Sequence, residues 1–457
     1  MAPENPNLQP WSAPTADAPV VGTVEVPGSK SLTNRALLLA CLSQGPSQID
    51  NALVARDTML MIDGLRQLGA GITEVASSDE SGEPRGKAGA AAQSARTGRV
   101  RGLSLQVTPP DMADRGERTV DCGLAGTVMR FLPACAALQR GVFHFSGDVA
   151  AQQRPMASLL RALDGLGVDV GTATSLPFTV TGRGQVPGGQ VDIDASASSQ
   201  FISGLLLAGA RFDNGLRVRN TAQSLPSQPH IDMSVGMLAR HSVKVETHNA
   251  GEWRIDPGPL QSYDWAIEPD LSNAMPFFAA AALTGGAVTV PALPPDSLQP
   301  IAQVRALLHR FGCTTTVNDR GLTVKGPTRI SAVDVNMSGL GELVPTAAAL
   351  CAFADGTSWL RGIGHIRGHE TDRIAALVRI FDALGGSAHD EDGDIRIEPR
   401  PLHAGVVPTF ADHRLATCGA LLGLLTPGVL VEDIATTSKT MPDFPELWAR
   451  LVGTGPR

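Results

Sequence analysis

Cations and small polar residues recur in this sequence where an apolar helix is about to begin. The junctions read Lys30-Ser31 with Arg35 one turn on, Gly126-Thr127-Val128-Met129-Arg130, Ser198-Ser199-Gln200, Asp270-Leu271-Ser272-Asn273, Gly341-Glu342 and Asp412-His413-Arg414. The unpaired N–H groups and positive dipole end of a helix suit a phosphate or carboxylate, so each junction is a candidate anion cradle. A single junction also reads as a capped core helix with incidental surface cations, and Ser272-Asn273 has the character of an N-cap. Collectively, however, Lys, Arg and His at helix N-termini oppose the dipole, which a purely structural reading leaves unexplained. Further cations flank other elements: Arg154 precedes Pro155, and Lys439 lies in Thr436-Thr437-Ser438-Lys439-Thr440-Met441-Pro442. The densest segment, His365-Ile366-Arg367-Gly368-His369-Glu370-Thr371-Asp372-Arg373, sets acid, base and cation together at a helix start. Arg373 there equally fits an exposed ion pair with Glu370 or Asp372.

Other chemistries fit these residues less well. His365 and His369 have i, i+4 spacing, but Gly368 interrupts a helix and no third ligand presents itself for zinc. Gly28-Ser29-Lys30-Ser31 resembles the tail of a P-loop without the upstream glycine, and no persuasive G-x-S-x-G elbow exists.

The elements that must position these groups repeat. Apolar, small-residue helices closing on Gly are expected at Thr33–Gly45, Gly126–Gly141, Ser199–Gly215, Ser272–Gly286, Glu342–Gly356 and Asp412–Gly428, with starts 93, 73, 73, 70 and 70 residues apart. The longer first interval contains a polar, low-complexity stretch, 76–100, expected to be a flexible surface loop. An amphipathic helix follows each apolar one; Met156, Leu159, Leu160 and Leu163 show the i, i+3, i+4, i+7 face. With the β-rich segments between them, such as Phe178-Thr179-Val180-Thr181, the pattern is an α/β unit, β-α-β-α-β-β, six times over. The sixth copy lacks closing strands, whereas Val21–Val26 is an orphan strand at the start. The expectation is therefore two domains of three units each: 29–264 inserted into a discontinuous domain of 19–28 plus 265–457, preceded by a disordered tail over 1–18. Pooled around an interdomain cleft, the six junctions would attract anions.

Composition narrows the class. The 457 residues carry a formal charge of −8, which argues against a nucleic-acid groove but permits a local basic pocket. Cys41, Cys122, Cys135, Cys313, Cys351 and Cys418 are scattered, several in apolar helical runs, and read as reduced structural residues of a cytoplasmic protein. The longest apolar runs, Phe277–Val290 and Leu415–Val431, are broken by Gly or Pro and make no convincing membrane span.

With these segments assembled, Val21–Leu451 resembles the 5-enolpyruvylshikimate-3-phosphate (EPSP) synthase family. The resemblance rests on Pro27-Gly28-Ser29-Lys30-Ser31-Leu32-Thr33-Asn34-Arg35, Ala125-Gly126-Thr127-Val128-Met129-Arg130, Glu370-Thr371-Asp372-Arg373 and Asp412-His413-Arg414, in that order. It implies an inverse α/β, barrel-like two-domain fold that closes on its substrates. It also implies transfer of the enolpyruvyl group of phosphoenolpyruvate to the 5-hydroxyl of shikimate 3-phosphate, with release of phosphate. Lys30, Gly126, Thr127, Arg154, Gln200, Arg373, Arg414 and Lys439 are then expected on phosphoenolpyruvate. Lys30, Ser31, Arg35, Ser198, Ser199, Gln200, Ser227, Glu342, His365 and His369 are expected on shikimate 3-phosphate. Glu342 matches the family aspartate that deprotonates the 5-hydroxyl, Glu370 and Lys30 would carry the proton at the methylene carbon, and His413 would contact phosphate. No cofactor, metal, nucleic acid or membrane is implied, and a monomer is expected.

Departures from the family pattern are Leu124 for a common Asn, Phe131 for Pro, His365 and His369 for Asn and Lys, and His230 for a Tyr. The two histidines suggest that shikimate 3-phosphate binding weakens as pH rises through their pKa values. Gly126 leaves the room glyphosate needs in sensitive members, so inhibition competitive with phosphoenolpyruvate is expected. The related transferase acting on a UDP-amino sugar typically has a loop cysteine near the position of Arg154, absent from Ala151-Gln152-Gln153-Arg154-Pro155. A non-catalytic anion scaffold would leave Glu342 and Glu370 as unexplained repulsion.

Overall fold

A computed structural model describes residues 9–75, 102–111, 113–248 and 251–453. The loop expected over 76–100 lies outside the described residues. Six helices are buried along most of their length. Lys30–Leu42, Gly126–Ala137 and Gln200–Gly209 pack on one another in one group, and Leu271–Thr284, Val344–Cys351 and His413–Leu425 in a second. Small side chains permit this: Ala279 to Ala282 and Ala347 to Ala349 are all buried, so neighbouring backbones come close. The amphipathic partners lay one apolar face inward, as with Leu159, Leu160 and Leu163 of Ala157–Gly165. No helix among the described residues is long and apolar enough to cross a membrane.

The chain divides into two compact units, Pro27–Glu268 and the segments before Val26 and after Pro269 together. The boundaries expected at 28 and 265 shift because Trp265–Ala266 pairs with Ile49 and Asp50, Ile267 N–H donates to Asp50 O at 2.9 Å and Ser29 N–H to Glu268 O at 2.9 Å.

Within Pro27–Glu268 the sheets run, in spatial order, Trp265–Ala266, Ser47–Ala52, Leu103–Thr108, Gly71–Glu74; Asp114–Asp121, Arg140–Ser146, Phe178–Arg183; and Val245–His248, Glu252–Ile255, Leu216–Asn220, Gly189–Ile193. The other unit has Thr314–Asn318, Gly321–Lys325, Ala287–Val290, Val21–Thr23; Asp334–Asn336, Ser358–Arg361, Asp394–Glu398, Ser387–Glu391; and Trp11–Ser12, Val429–Val431, Gly405–Val407. Each sheet contains one parallel pair. In four sheets that pair flanks a buried helix, entering and leaving it. In the other two the entering strands are exchanged. Val21–Thr23 leads into Lys30–Leu42 but pairs with Ala287–Val290, and Trp265–Ala266 leads into Leu271–Thr284 but pairs with Ser47–Ala52. These exchanges are where the chain passes from one unit to the other.

The disordered tail expected over 1–18 is corrected for its described part. Trp11 and Ser12 pair antiparallel with Val431 and Leu430, Ala13 N–H donates to Val429 O at 3.1 Å, and Ala13 is buried. Two residues of strand cover an edge of Val429–Val431 that would otherwise offer its backbone groups to solvent.

Candidate active site

In Pro27–Glu268, the Ser29 hydroxyl caps Lys30–Leu42 by accepting from Leu32 N–H at 3.4 Å. Lys30 thus occupies a helix start, where the dipole disfavours a cation, and the buried Asp57 carboxylate offsets it at 3.1 Å. Asp57 lies in the first turn of Arg56–Gln67, where negative charge is favoured. In sequence such an acid reads as an ordinary dipole complement, and the need of Lys30 for a counter-ion is the signal that points to it.

Arg154 Nη1 donates to Leu124 O at 2.8 Å, and Arg130 Nη1 donates to Gln200 Oε1 at 3.0 Å. Arg154 and Gln200 close over Gly126: a Cβ there would lie 2.9 Å from Gln200 Oε1 and 3.0 Å from Arg154 Nη2. A methyl group at this helix start would therefore press on the ends of both side chains. Arg130 also reaches Ser198 Oγ at 3.1 Å, so this buried member of the second motif, assigned no role from sequence, orients two expected substrate ligands. The Ser198 hydroxyl in turn accepts from Gln200 N–H at 3.3 Å, and Ser199 is buried at the cap position of Gln200–Gly209. Thr127 is buried, its hydroxyl accepting from Asn34 Nδ2 at 2.7 Å.

Arg35 is anchored by the protein itself. Its guanidinium donates to Ser234 Oγ at 2.8 Å, Ser31 O at 3.0 Å and His230 O at 3.1 Å, and only 1% of the residue is exposed. Burial pulls its pKa down to about 9, still above neutrality. It ties Lys30–Leu42 to the helix Gln228–Arg240. Ser227, immediately before that helix, adopts φ 54°, the left-handed region sparsely used outside glycine.

The second unit gathers Glu342, His365, His369, Glu370, Arg373, Asp412, His413, Arg414 and Lys439. Arg373, also 1% exposed, donates from Nε to Asp412 Oδ2 at 2.7 Å, from Nη2 to Asp412 Oδ1 at 3.1 Å and to Glu370 Oε2 at 2.9 Å, and meets His369 Nδ1 at 3.0 Å. Burial lowers its pKa, but the Asp412, Glu370 and Glu342 carboxylates outweigh that and the net shift is upward. The exposed helix residue considered from sequence is thus a buried hub. Glu370 bridges Arg373 and Lys439, whose Nζ lies 2.5 Å from Oε1. Asp412 also caps His413–Leu425 through Arg414 N–H at 2.8 Å, and the buried His413 has Nδ1 3.7 Å from Asp412 Oδ1. Arg414 donates to Ser272 O at 2.7 Å and to Ser272 Oγ at 2.6 Å, and its Nη2 is 3.6 Å from Glu342 Oε2. The cap of Leu271–Thr284 is Asp270, not Ser272 or Asn273: its carboxylate accepts from Asn273 N–H at 2.9 Å. Glu342 sits in the 3-10 turn Gly341–Leu343 that opens Val344–Cys351. A Cβ on Gly341 would come within 2.3 Å of His365 Nε2, so that imidazole rests directly on the backbone preceding Glu342.

Both histidines are shifted below the usual imidazole range. Burial lowers His365 to about 4 and His369 to about 3, with Arg373 adding to the shift in both and Glu342 partly opposing it. The downward shifts run against the expected weakening of substrate binding as pH rises through neutrality, because burial favours the neutral rings. Because their folded pKa values lie below the unfolded value near 6.5, the stability they contribute is complete above about pH 6.5 and is lost as pH falls towards 3. Imidazole NMR signals of His365 and His369 should accordingly stay constant between pH 6 and 8; an inflection in that window would contradict the assignment.

Residues 14–448 match the EPSP synthase (3-phosphoshikimate 1-carboxyvinyltransferase) family model. A solved EPSP synthase from Acinetobacter baumannii superposes with a TM-score of 0.75 at 22% identity, covering 97% of each chain. The enolpyruvyl transferase NikO from Streptomyces tendae does so with a TM-score of 0.71 at 18% identity, covering 97% of this chain and 98% of its own. These likenesses define the class by fold: a mixed α/β, two-unit architecture found in enolpyruvyl transferases. In sequence, a 3-phosphoshikimate 1-carboxyvinyltransferase from Kocuria rhizophila is 48% identical over 449 residues, 97% of both chains. The chain belongs to the EPSP synthase family.

Proposed function

We propose that the chain transfers the enolpyruvyl group of phosphoenolpyruvate to the 5-hydroxyl of shikimate 3-phosphate, with Glu342 as the general base. The observation that carries the assignment is a carboxylate set among cations: Glu342 beside Arg414, in the same unit as the Lys439–Glu370–Arg373–Asp412 chain. A non-catalytic anion site gains nothing from such an acid. Glu342 takes the hydroxyl proton as the oxygen bonds to C2 of phosphoenolpyruvate, and C3 accepts a proton from Glu370 or Lys30. The resulting tetrahedral intermediate returns a C3 proton, re-forms the double bond and expels phosphate. Arg154, Gln200, Gly126, Thr127, Arg373, Arg414, Lys439 and His413 are assigned to phosphoenolpyruvate and its leaving phosphate. Ser31, Ser198, Ser199, Gln200 and Ser227, with His365 and His369 as neutral hydrogen-bonding groups, are assigned to shikimate 3-phosphate. Arg35 supports that set from behind.

The six-copy β-α-β-α-β-β reading accords with six sheets, each holding one parallel pair. A cytoplasmic, reducing setting accords with six free, buried cysteines. That burial also weighs against a UDP-amino-sugar transferase, whose loop cysteine has no counterpart here. The deciding experiment measures phosphate release from phosphoenolpyruvate with shikimate 3-phosphate and, separately, with UDP-N-acetylglucosamine. Activity only with the sugar nucleotide would overturn the proposal. Within it, Gly126→Ala is expected to raise KM for phosphoenolpyruvate about tenfold, since the methyl group must displace Arg154 or Gln200. An unchanged KM would remove Gly126 from that subsite.

A further inference from the structure

One helical turn, Asp270 to Asn273, touches the supports of two cations distant in sequence. Asp270 caps the turn and accepts from Ser272 Oγ at 2.6 Å, which fixes the serine that receives both Arg414 donors. Asn273, one residue on, is buried and faces Thr440. Its Nδ2 donates to Thr440 O at 3.0 Å, and its Oδ1 accepts from Thr440 Oγ1 at 3.0 Å. Thr440 is also buried, and it directly follows Lys439 at the end of the 3-10 segment Ile434–Lys439. With Asp270 supplying the cap, neither Ser272 nor Asn273 is needed for helix initiation. A buried amide at this point is a cost that only its reciprocal pairing offsets. The pairing also fixes which end of the amide faces which group, because a carbonyl can only accept and the Thr440 hydroxyl here donates.

We infer that Asn273 is a positioning residue for the transfer reaction: by clamping both the main chain and the hydroxyl of Thr440, it aims Lys439 at the phosphoenolpyruvate subsite, while Ser272 aims Arg414 from the same turn. The spacing between these two cations is then set by two consecutive residues of one rigid helix. The inference rests on the assignment of Lys439 to phosphoenolpyruvate given above.

The test is steady-state kinetics at 25 °C, with each substrate varied in turn, beside thermal denaturation of the same variants. Asn273→Ala and Thr440→Val should raise KM for phosphoenolpyruvate about tenfold while KM for shikimate 3-phosphate stays within about twofold. Thr440→Ser, which keeps the hydroxyl, should restore parental kinetics. Asn273→Ala combined with Lys439→Met should be no worse towards phosphoenolpyruvate than Lys439→Met alone, because the two act through one contact. A lowered melting temperature with an unchanged KM for phosphoenolpyruvate, or effects that multiply in the double variant, would overturn the inference. A parental KM in Lys439→Met would instead remove the Lys439 assignment and the inference with it. Should Asn273→Ala fail to fold, Thr440→Val against Thr440→Ser, each with and without Lys439→Met, gives the same comparison.

Discussion

Glu342→Gln should lower kcat by about 10²- to 10⁴-fold, the range over which a positioned general base acts, with KM for phosphoenolpyruvate changed far less. Glutamine keeps the length and shape of the side chain, so Gly341, the 3-10 turn and the His365 imidazole need not move. It also retains an oxygen to face Arg414 Nη2, now 3.6 Å from the carboxylate. What it loses is the capacity to hold the 5-hydroxyl proton. Glu342 is 38% exposed, open enough to meet a substrate hydroxyl, whereas Glu370 at 11% is engaged by Arg373 and Lys439. Single-turnover rates of enolpyruvyl transfer measure the effect directly, and a rate close to that of the parent would assign the base elsewhere.

The second large effect is on the fold. Arg373→Ala should destabilise the protein by about 3–5 kcal/mol, the cost of leaving a buried ion pair with one partner missing. Asp412 is fully buried beneath the guanidinium and would keep its cap bond to Arg414 N–H and the His413 ring 3.7 Å away, and Glu370 would keep Lys439. Arg373→Lys retains the charge but not the fork that reaches Asp412 through two nitrogens and Glu370 through one of them, so it should recover only part of the loss. Equilibrium urea denaturation is the measurement. If Arg373→Ala unfolded at the parental midpoint, the guanidinium would serve the substrate alone and the hub described here would be wrong.

Much of the architecture was legible because it is written in volume and hydropathy. The six buried helices begin within a few residues of where small apolar runs begin, and their polar junctions mark the expected site residues. Burial of those same residues was not legible. Arg35 and Arg373 stand beside helix starts in sequence, and only tertiary packing reveals that protein carbonyls, a hydroxyl and carboxylates already engage them. His365 and His369 looked like pH sensors from their residue type, but desolvation decides the matter and depends on neighbours distant in sequence. Trp11-Ser12 carries too short a pattern to register as a strand amid Pro and Ala; its partner, Val429–Val431, lies at the other end of the chain. Asn273 reads as a capping residue until Thr440 is seen across from it.

The exchanged entering strands also impose an order on biosynthesis. Pro27–Glu268 is continuous in sequence, and its first sheet takes Trp265–Ala266 from its own last residues, so it can close once Glu268 is available. The other unit cannot: Val21–Thr23 must wait for Ala287–Val290, and Trp11–Ser12 for Val429–Val431, so these segments find their partners only after a long stretch of later chain has been made. Folding should therefore be stepwise, with an intermediate in which Pro27–Glu268 is native while the N-terminal segment is still searching, the slow phase of long-range pairing that loop-closure entropy dictates.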